Sequence, residues 1–255
     1  MGINMDIFNN PIKFSDDFLK QYDFIITLGV YAKDLESDVC LLPFLDSKTK
    51  TYIRYEVGTE EGVSALFLYE FYKGNLLKDF IDELDYGYLT SETNISEEEM
   101  LLLKNTLKSK NNPLLIIGND FYLHKRSKNI LDMFANLIDN SILNISFLSL
   151  DKKEVYQIQK QEKLLETLET LPENNGCVIY LDSKLEQDST LLISNEFAKA
   201  WKLQDKDKIS IYFDDNQIDC SCKIDNNFGG VIGILNLANE LDCAYRYKQA
   251  KIKKR

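Results

Sequence analysis

The segment Asp23-Phe24-Ile25-Ile26-Thr27-Leu28-Gly29 recurs in altered form as Leu114-Leu115-Ile116-Ile117-Gly118-Asn119-Asp120. Each is a short apolar run that reaches a glycine. A run of that length without polar alternation is buried on both faces, which is the pattern of a parallel strand and not of an amphipathic edge. Parallel strands need long crossovers, so an α/β fold follows. The glycines mark turns at the strand ends, where ligands of such sheets usually sit. Gly29 and Gly118 are therefore the first candidate positions for a bound group.

The residues between and after these runs support that frame. A short helix is expected over 15–21, and an alternating strand over 51–56. Gly58-Thr59-Glu60-Glu61-Gly62 leads into an apolar helix over 63–72, with Thr59 as its cap and the two glutamates favoured by its dipole. Ser96 and Glu99 form a capping box for a helix over 97–109 that stops at Asn111-Asn112-Pro113. Strand 113–118, helix 125–139 and strand 142–149 complete a βαβ unit with a right-handed crossover. The expectation is a doubly wound sheet over about 20–150.

Residues 151–175 read as a charged helical connector ending at Leu171-Pro172-Glu173-Asn174-Asn175-Gly176. Beyond it the pattern changes. Short strands are expected at 177–182, 208–213, 217–224 and 231–236, with a helix at 194–202 and a hairpin turn at Asp214-Asp215-Asn216. The organisation is a domain over 1–150, a connector over 151–175, a small mostly-β module over 176–240 and a basic tail over 241–255. That tail carries Arg246, Lys248, Lys251, Lys253, Lys254 and Arg255. It reads as a solvated terminus, with contact to an acidic subunit or anionic lipid as the alternative.

Composition limits the function. With 30 basic and 41 acidic residues the net charge is −11, which argues against a nucleic-acid partner. The start, Met1-Gly2-Ile3-Asn4-Met5-Asp6, lacks the features of a signal peptide, and no apolar run approaches a membrane span. The expectation is a cytoplasmic protein that meets a membrane only indirectly, through partners. The five cysteines, Cys40, Cys177, Cys220, Cys222 and Cys243, are scattered and odd in number, as reduced thiols are. Cys220 and Cys222 share one side of a strand. Burial accounts for them; a metal site would need ligands from elsewhere.

His124 is the only histidine, so any Ser/His or Cys/His pair must use it. It lies between Gly118-Asn119-Asp120 and a helix that begins with Lys125, Arg126 and Ser127. Cations at a helix start oppose its dipole unless an anion is near, so a bound phosphate is one reading of His124 and Arg126 and plain exposure is the other. No G-x-G-x-x-G or P-loop motif occurs. Gly229-Gly230-Val231-Ile232-Gly233 reads as a barrel corner. The paired carboxylates, Glu60-Glu61 among them, read as caps and solvated turns. Phe197, Ala200 and Trp201 read as one packed helix face.

The second half resembles the molybdopterin oxidoreductase family. Ile193-Ser194-Asn195-Glu196-Phe197-Ala198-Lys199-Ala200-Trp201-Lys202-Leu203, followed by Gln204-Asp205-Lys206-Asp207-Lys208-Ile209-Ser210-Ile211, is similar to that family's helix and "dGD-x-V" turn entering the C-terminal barrel. Lys206-Asp207 stands for the usual Gly-Asp. Strand 23–29 with Gly58-Thr59-Glu60-Glu61-Gly62 resembles an earlier stretch of the same family, and strand 113–118 with helix 125–139 a later one, His124 and Asn129 falling near the matching positions. Order and spacing resemble the large subunit of NADH-quinone oxidoreductase (respiratory complex I) that carries a degenerate copy of the molybdopterin fold. The N-terminal iron–sulfur modules of that large subunit have no counterpart here and the barrel is short.

The resemblance implies a parallel-sheet Rossmann-like domain followed by a small mostly-β module. It implies a non-catalytic structural subunit in the cytoplasmic arm of a complex I-type enzyme, peripheral to the inner membrane, with the other subunits of that complex as partners. No catalytic residue, metal ligand or cofactor is assigned. The alternatives are a nucleotide- or pterin-binding module at Gly29 and Gly118, and an active redox enzyme using flavin, pterin or a cluster.

Overall fold

The computed structural model describes residues 16–31, 35–46, 50–148, 165–172, 176–182, 188–238 and 245–255. It contains two compact units. One comprises Met1–Leu42 and Thr49–Pro172; the other comprises Pro43–Lys48 and Glu173–Arg255. The fold is mixed α/β, with a five-stranded parallel sheet in the first unit and a six-stranded closed β-barrel in the second.

Along the chain, the first unit begins with α1 (Asp16–Leu19), β1 (Phe24–Leu28) and β2 (Val39–Leu42). After β3 (Leu45–Asp46), which belongs to the second unit, come β4 (Tyr52–Arg54), α2 (Glu60–Phe71), α3 (Lys78–Asp82), α4 (Tyr86–Thr93) and α5 (Glu97–Leu107). Then follow β5 (Pro113–Ile117), α6 (Asn119–Tyr122), α7 (Ser127–Asn140) and β6 (Asn144–Phe147). The sheet order is β4-β2-β1-β5-β6, every pair parallel. β1 and β5, the two glycine-ended runs, are neighbours, with Leu28 opposite Ile117.

The sheet winds in both directions from β1, toward β2 and β4 on one side and toward β5 and β6 on the other, as a doubly wound sheet does, but among the described residues its crossover helices lie on one face. The β4→β5 and β5→β6 crossovers carry the helices, and both move the same way across the sheet. Right-handed connections of equal direction fall on one face. Accordingly α2 packs against α7, and both share one core with Ile26, Leu28, Leu41, Leu115 and Ile117. The oppositely directed connections, 29–38 and 43–51, carry no helix among their described residues. On the other face, Leu114 and Ile116 meet Phe18 and Leu19 of α1 and Tyr22.

The capping box forms as read: Glu99 N–H donates to Ser96 Oγ and Ser96 N–H to Glu99 Oε2. Thr59 does not cap α2. Its hydroxyl donates instead to the Glu56 carbonyl at 2.6 Å, closing the turn before the helix. The connector 151–175 lies partly outside the described residues; its described part, 165–172, is not helical.

The second unit comprises β7 (Cys177–Asp182), β8 (Thr190–Ile193), α8 (Asn195–Trp201), β9 (Lys208–Phe213), β10 (Asn216–Ile224), β11 (Phe228–Gly229), β12 (Ile232–Asn236) and β13 (Tyr247–Lys254), with β3. The barrel order is β10-β8-β12-β7-β13-β9. β10–β8 and β12–β7 are parallel, and the remaining pairs antiparallel. β11 pairs with β3. Gly230, at φ +103°, makes the expected corner, and Gly233 leaves room for Leu191 and Phe197.

The basic tail also needs correcting. Residues 247–254 are a barrel strand, and closure requires them: without β13 the edges of β7 and β9 would be open. Its cations meet the barrel's own acids: Lys248 with Asp214 at 2.9 Å, Lys254 with Asp207 at 2.7 Å and Arg255 with Asp219 at 2.8 Å. On α8, Phe197 and Ala198 are buried, whereas Ala200 and Trp201, expected inside, face outward. No helix among the described residues is long and apolar enough to cross a membrane.

Candidate functional site

The chain runs from β1 outward to β2 and β4, then returns to the opposite side of β1 as β5. The β1–β5 gap is thus the point where strand order reverses, and open parallel sheets bind ligands outside the carboxyl ends of the strands at that point. Gly29 and Gly118 both sit there. Gly118 N–H donates to the Leu28 carbonyl at 2.7 Å, and a methyl on Gly118 would overlap the Gly29 carbonyl oxygen. Gly29 adopts φ +66°, and a Cβ there would come within 2.7 Å of the Phe121 ring and 3.2 Å of the Tyr55 hydroxyl. Tyr55 and Phe121 are fully buried and packed edge to face, with centroids 5.9 Å apart. The glycines let backbone meet backbone, and two aromatic rings pack against Gly29.

His124 and Arg126 point elsewhere, toward the start of α2. The Arg126 N–H donates to His124 Nδ1 at 3.1 Å. An accepting Nδ1 places the proton of the neutral ring on Nε2, which lies 3.8 Å from Glu60 Oε2. Burial holds the His124 pKa below its ordinary value, although Glu61 and a bond to the Gly58 carbonyl favour its charged form. The ring is a neutral pin between the turns that precede α2 and α7.

Arg126 Nε donates to Glu61 Oε1 at 2.9 Å, Nη1 to Glu166 Oε2 at 2.6 Å and Nη2 to the Thr167 carbonyl at 3.0 Å. Asn129 Nδ2 donates to the same Glu61 oxygen at 2.8 Å. Asn129 also closes a two-way bond with Glu166, accepting from its N–H at 2.8 Å and donating to its carbonyl at 3.0 Å. Lys125 pairs with Glu169 at 3.1 Å. The anion that cations at the start of α7 call for is thus the protein's own carboxylates. The network ties residues 165–172 across the starts of α2 and α7, and Leu171 N–H adds a bond to the Tyr88 hydroxyl at 3.1 Å.

The sequence reading missed the depth of Glu60 and Glu61, which are 0 % and 1 % exposed. The signal available was the apolar context of Gly62-Val63 immediately after them, combined with Arg126 and Asn129 one turn apart on another helix. In the barrel, Cys177, Cys220 and Cys222 belong to the apolar core. Burial pushes Cys177 and Cys220 up to about 12 and Cys222 up to about 11, so all three are neutral thiols. Among the described residues no group of three His, Cys, Asp or Glu side chains could hold a metal ion.

Fold and site together define a class: a parallel-sheet unit joined to a closed barrel, with the strand-order reversal occupied by the protein's own rings. No family model matches the sequence, and no curated protein is detectably similar to it.

Proposed function

We propose that this chain is a non-catalytic structural subunit of the cytoplasmic arm of a complex I-type NADH-quinone oxidoreductase, built on a Rossmann-like sheet. The observation that carries the non-catalytic part is the packing of Phe121 and Tyr55 against Gly29, whose carbonyl Gly118 abuts. A sheet of this strand order keeps its ligand there, and here the rings of Phe121 and Tyr55 pack against that turn. The neighbouring charges are engaged in holding residues 165–172. The assembly comes from the resemblance of three stretches to the complex I large subunit, and a closed barrel following a parallel sheet is the order of modules that the resemblance implies. A scaffold needs stable surfaces and no catalyst, and fold alone confers no chemistry.

The test is affinity purification of the tagged chain from its native cells in mild detergent, with mass spectrometry of the associated proteins. Membrane-embedded quinone oxidoreductase subunits should co-purify. A chain that elutes alone, or with unrelated proteins, overturns the reading.

A further inference from the structure

A cavity of about 390 Å³ opens between the end of α3, the start of α4 and residues 167–170. Its walls are Phe80, Leu84, Tyr88, Leu89 and Leu168. Its rim carries three carboxylates, Glu83, Asp85 and Glu169, and among the described residues no lysine or arginine lines it. Glu169 is paired with Lys125 at 3.1 Å, so Glu83 and Asp85 carry the charge that disfavours anions, and among the described residues no group of three His, Cys, Asp or Glu side chains could hold a metal ion.

We infer that this cavity receives a basic–apolar segment of a partner polypeptide, an aliphatic side chain seated on Leu84 and Leu168 with a flanking arginine or lysine at the carboxylate rim. The inference goes beyond the subunit reading and holds for any assembly.

Three observations favour a polypeptide over a small amine. Glu83, Asp85 and Glu169 are exposed, and Tyr88 is 37 % exposed, so the cavity opens on the surface and leaves room for a chain to continue past it. The volume lies at the low end of the roughly 300–1,000 Å³ of ligand pockets, enough for one or two side chains. The wall formed by 167–170 is fixed in advance. Arg126 holds the Thr167 carbonyl, Asn129 holds Glu166, and Tyr88, itself a wall residue, accepts from Leu171. A non-helical segment tied down by a partly buried network lowers the ordering cost of binding. The chain's net charge of −11 adds a long-range attraction for a cationic partner.

The experiment is a methyl-detected NMR titration of the full chain with acetyl-Arg-Leu-Arg-amide. The expected result is saturable shifts at the Leu84, Leu89 and Leu168 methyls, none with acetyl-Glu-Leu-Glu-amide, and an affinity about fivefold weaker in Glu83→Lys, the effect of a partly screened charge pair. Glu83 lies outside the Arg126 network, and an unchanged spectrum elsewhere shows that the variant is folded. Three results overturn the inference. They are absence of saturable shifts at millimolar peptide, equal shifts with the acidic peptide, and shifts with phenethylammonium but none with either peptide, which would assign the cavity to a small amine.

Discussion

The two units use charge in opposite ways. In the sheet unit, Glu61 is buried and shared between Arg126 and Asn129. In the barrel, the pairs of Lys254 and Arg255 lie on the outside, with half or nearly half of each cationic side chain in solvent, and the interior holds apolar side chains and neutral thiols. Both units contain acid–base pairs at similar distances, 2.9 Å for Glu61–Arg126 and 2.8 Å for Asp219–Arg255. Burial, not separation, sets what they are worth. A pair that has left water becomes a structural commitment, because either member alone is a buried unpaired charge. A pair in water is a small bonus.

Removing one member from each unit is the strongest way to break this contrast. Glu61→Ala takes the shared acceptor from Arg126 Nε and Asn129 Nδ2 and should lower stability by about 3 kcal/mol, the low end for breaking a buried pair because Arg126 keeps Glu166 and the Thr167 carbonyl; residues 165–172 should loosen as judged by limited proteolysis. A urea midpoint within error of the parent would show that the network is ornamental.

Glycines give the next largest difference. Gly118→Ala drives a methyl into the backbone carbonyl of Gly29, and β1 must separate from β5; about 1–3 kcal/mol or more is expected. Gly233→Ala in the barrel meets only the side chains of Leu191 and Phe197, at 3.0–3.3 Å, which can shift, so its cost should be the smaller. Thermal denaturation of both variants tests the order, and a reversed order would mean that the barrel core is the stiffer of the two.

A pH difference between the units comes third. The folded pKa of His124 lies below the ordinary value of 6.5, so the unfolded chain binds the proton more readily. The stability this group contributes is present above pH 6.5 and is lost as pH falls from there toward the folded value. His124→Gln should flatten that part of the pH profile, measured as urea midpoints between neutral and mildly acidic pH. His124 is the chain's one histidine, so the barrel has no such dependence; an unchanged profile in the variant would leave the ring without its pinning role.

The smallest effect belongs to the barrel's surface. Arg255→Ala breaks an exposed contact to Asp219 and should leave the urea midpoint unchanged within error. A clear loss would show that the last residues close the barrel through their charges and not through the β13 ladder.

Much of the fold was legible in the sequence because it is written in short range. The apolar runs before Gly29 and Gly118, the Ser96–Glu99 capping box and the Asp214-Asp215 turn each depend on neighbours in the chain, and each stands close to where it was expected. β2 was not legible. Val39-Cys40-Leu41-Leu42 is a four-residue run whose burial is decided by lying beside β1. β13 was not legible either, since Tyr-Lys-Gln-Ala-Lys-Ile-Lys-Lys has a strand's alternation hidden under a tail's composition. At the candidate site, Gly29, Gly118, His124 and Arg126 were identifiable as residues, but not the direction each would face.

What the sequence determined by itself is therefore the kind of elements and their punctuation: parallel-type strands, capped helices, a change to β structure after residue 176. Propensity, capping and periodicity act over a few residues and can be read locally. Only the tertiary structure decided that Phe121 and Tyr55 fill the reversal point, that Glu61 goes inside to meet Arg126, and that a lysine-rich terminus closes a barrel. Those outcomes depend on which distant residues remove one another from water, and desolvation is a property of the packed molecule that no local window contains.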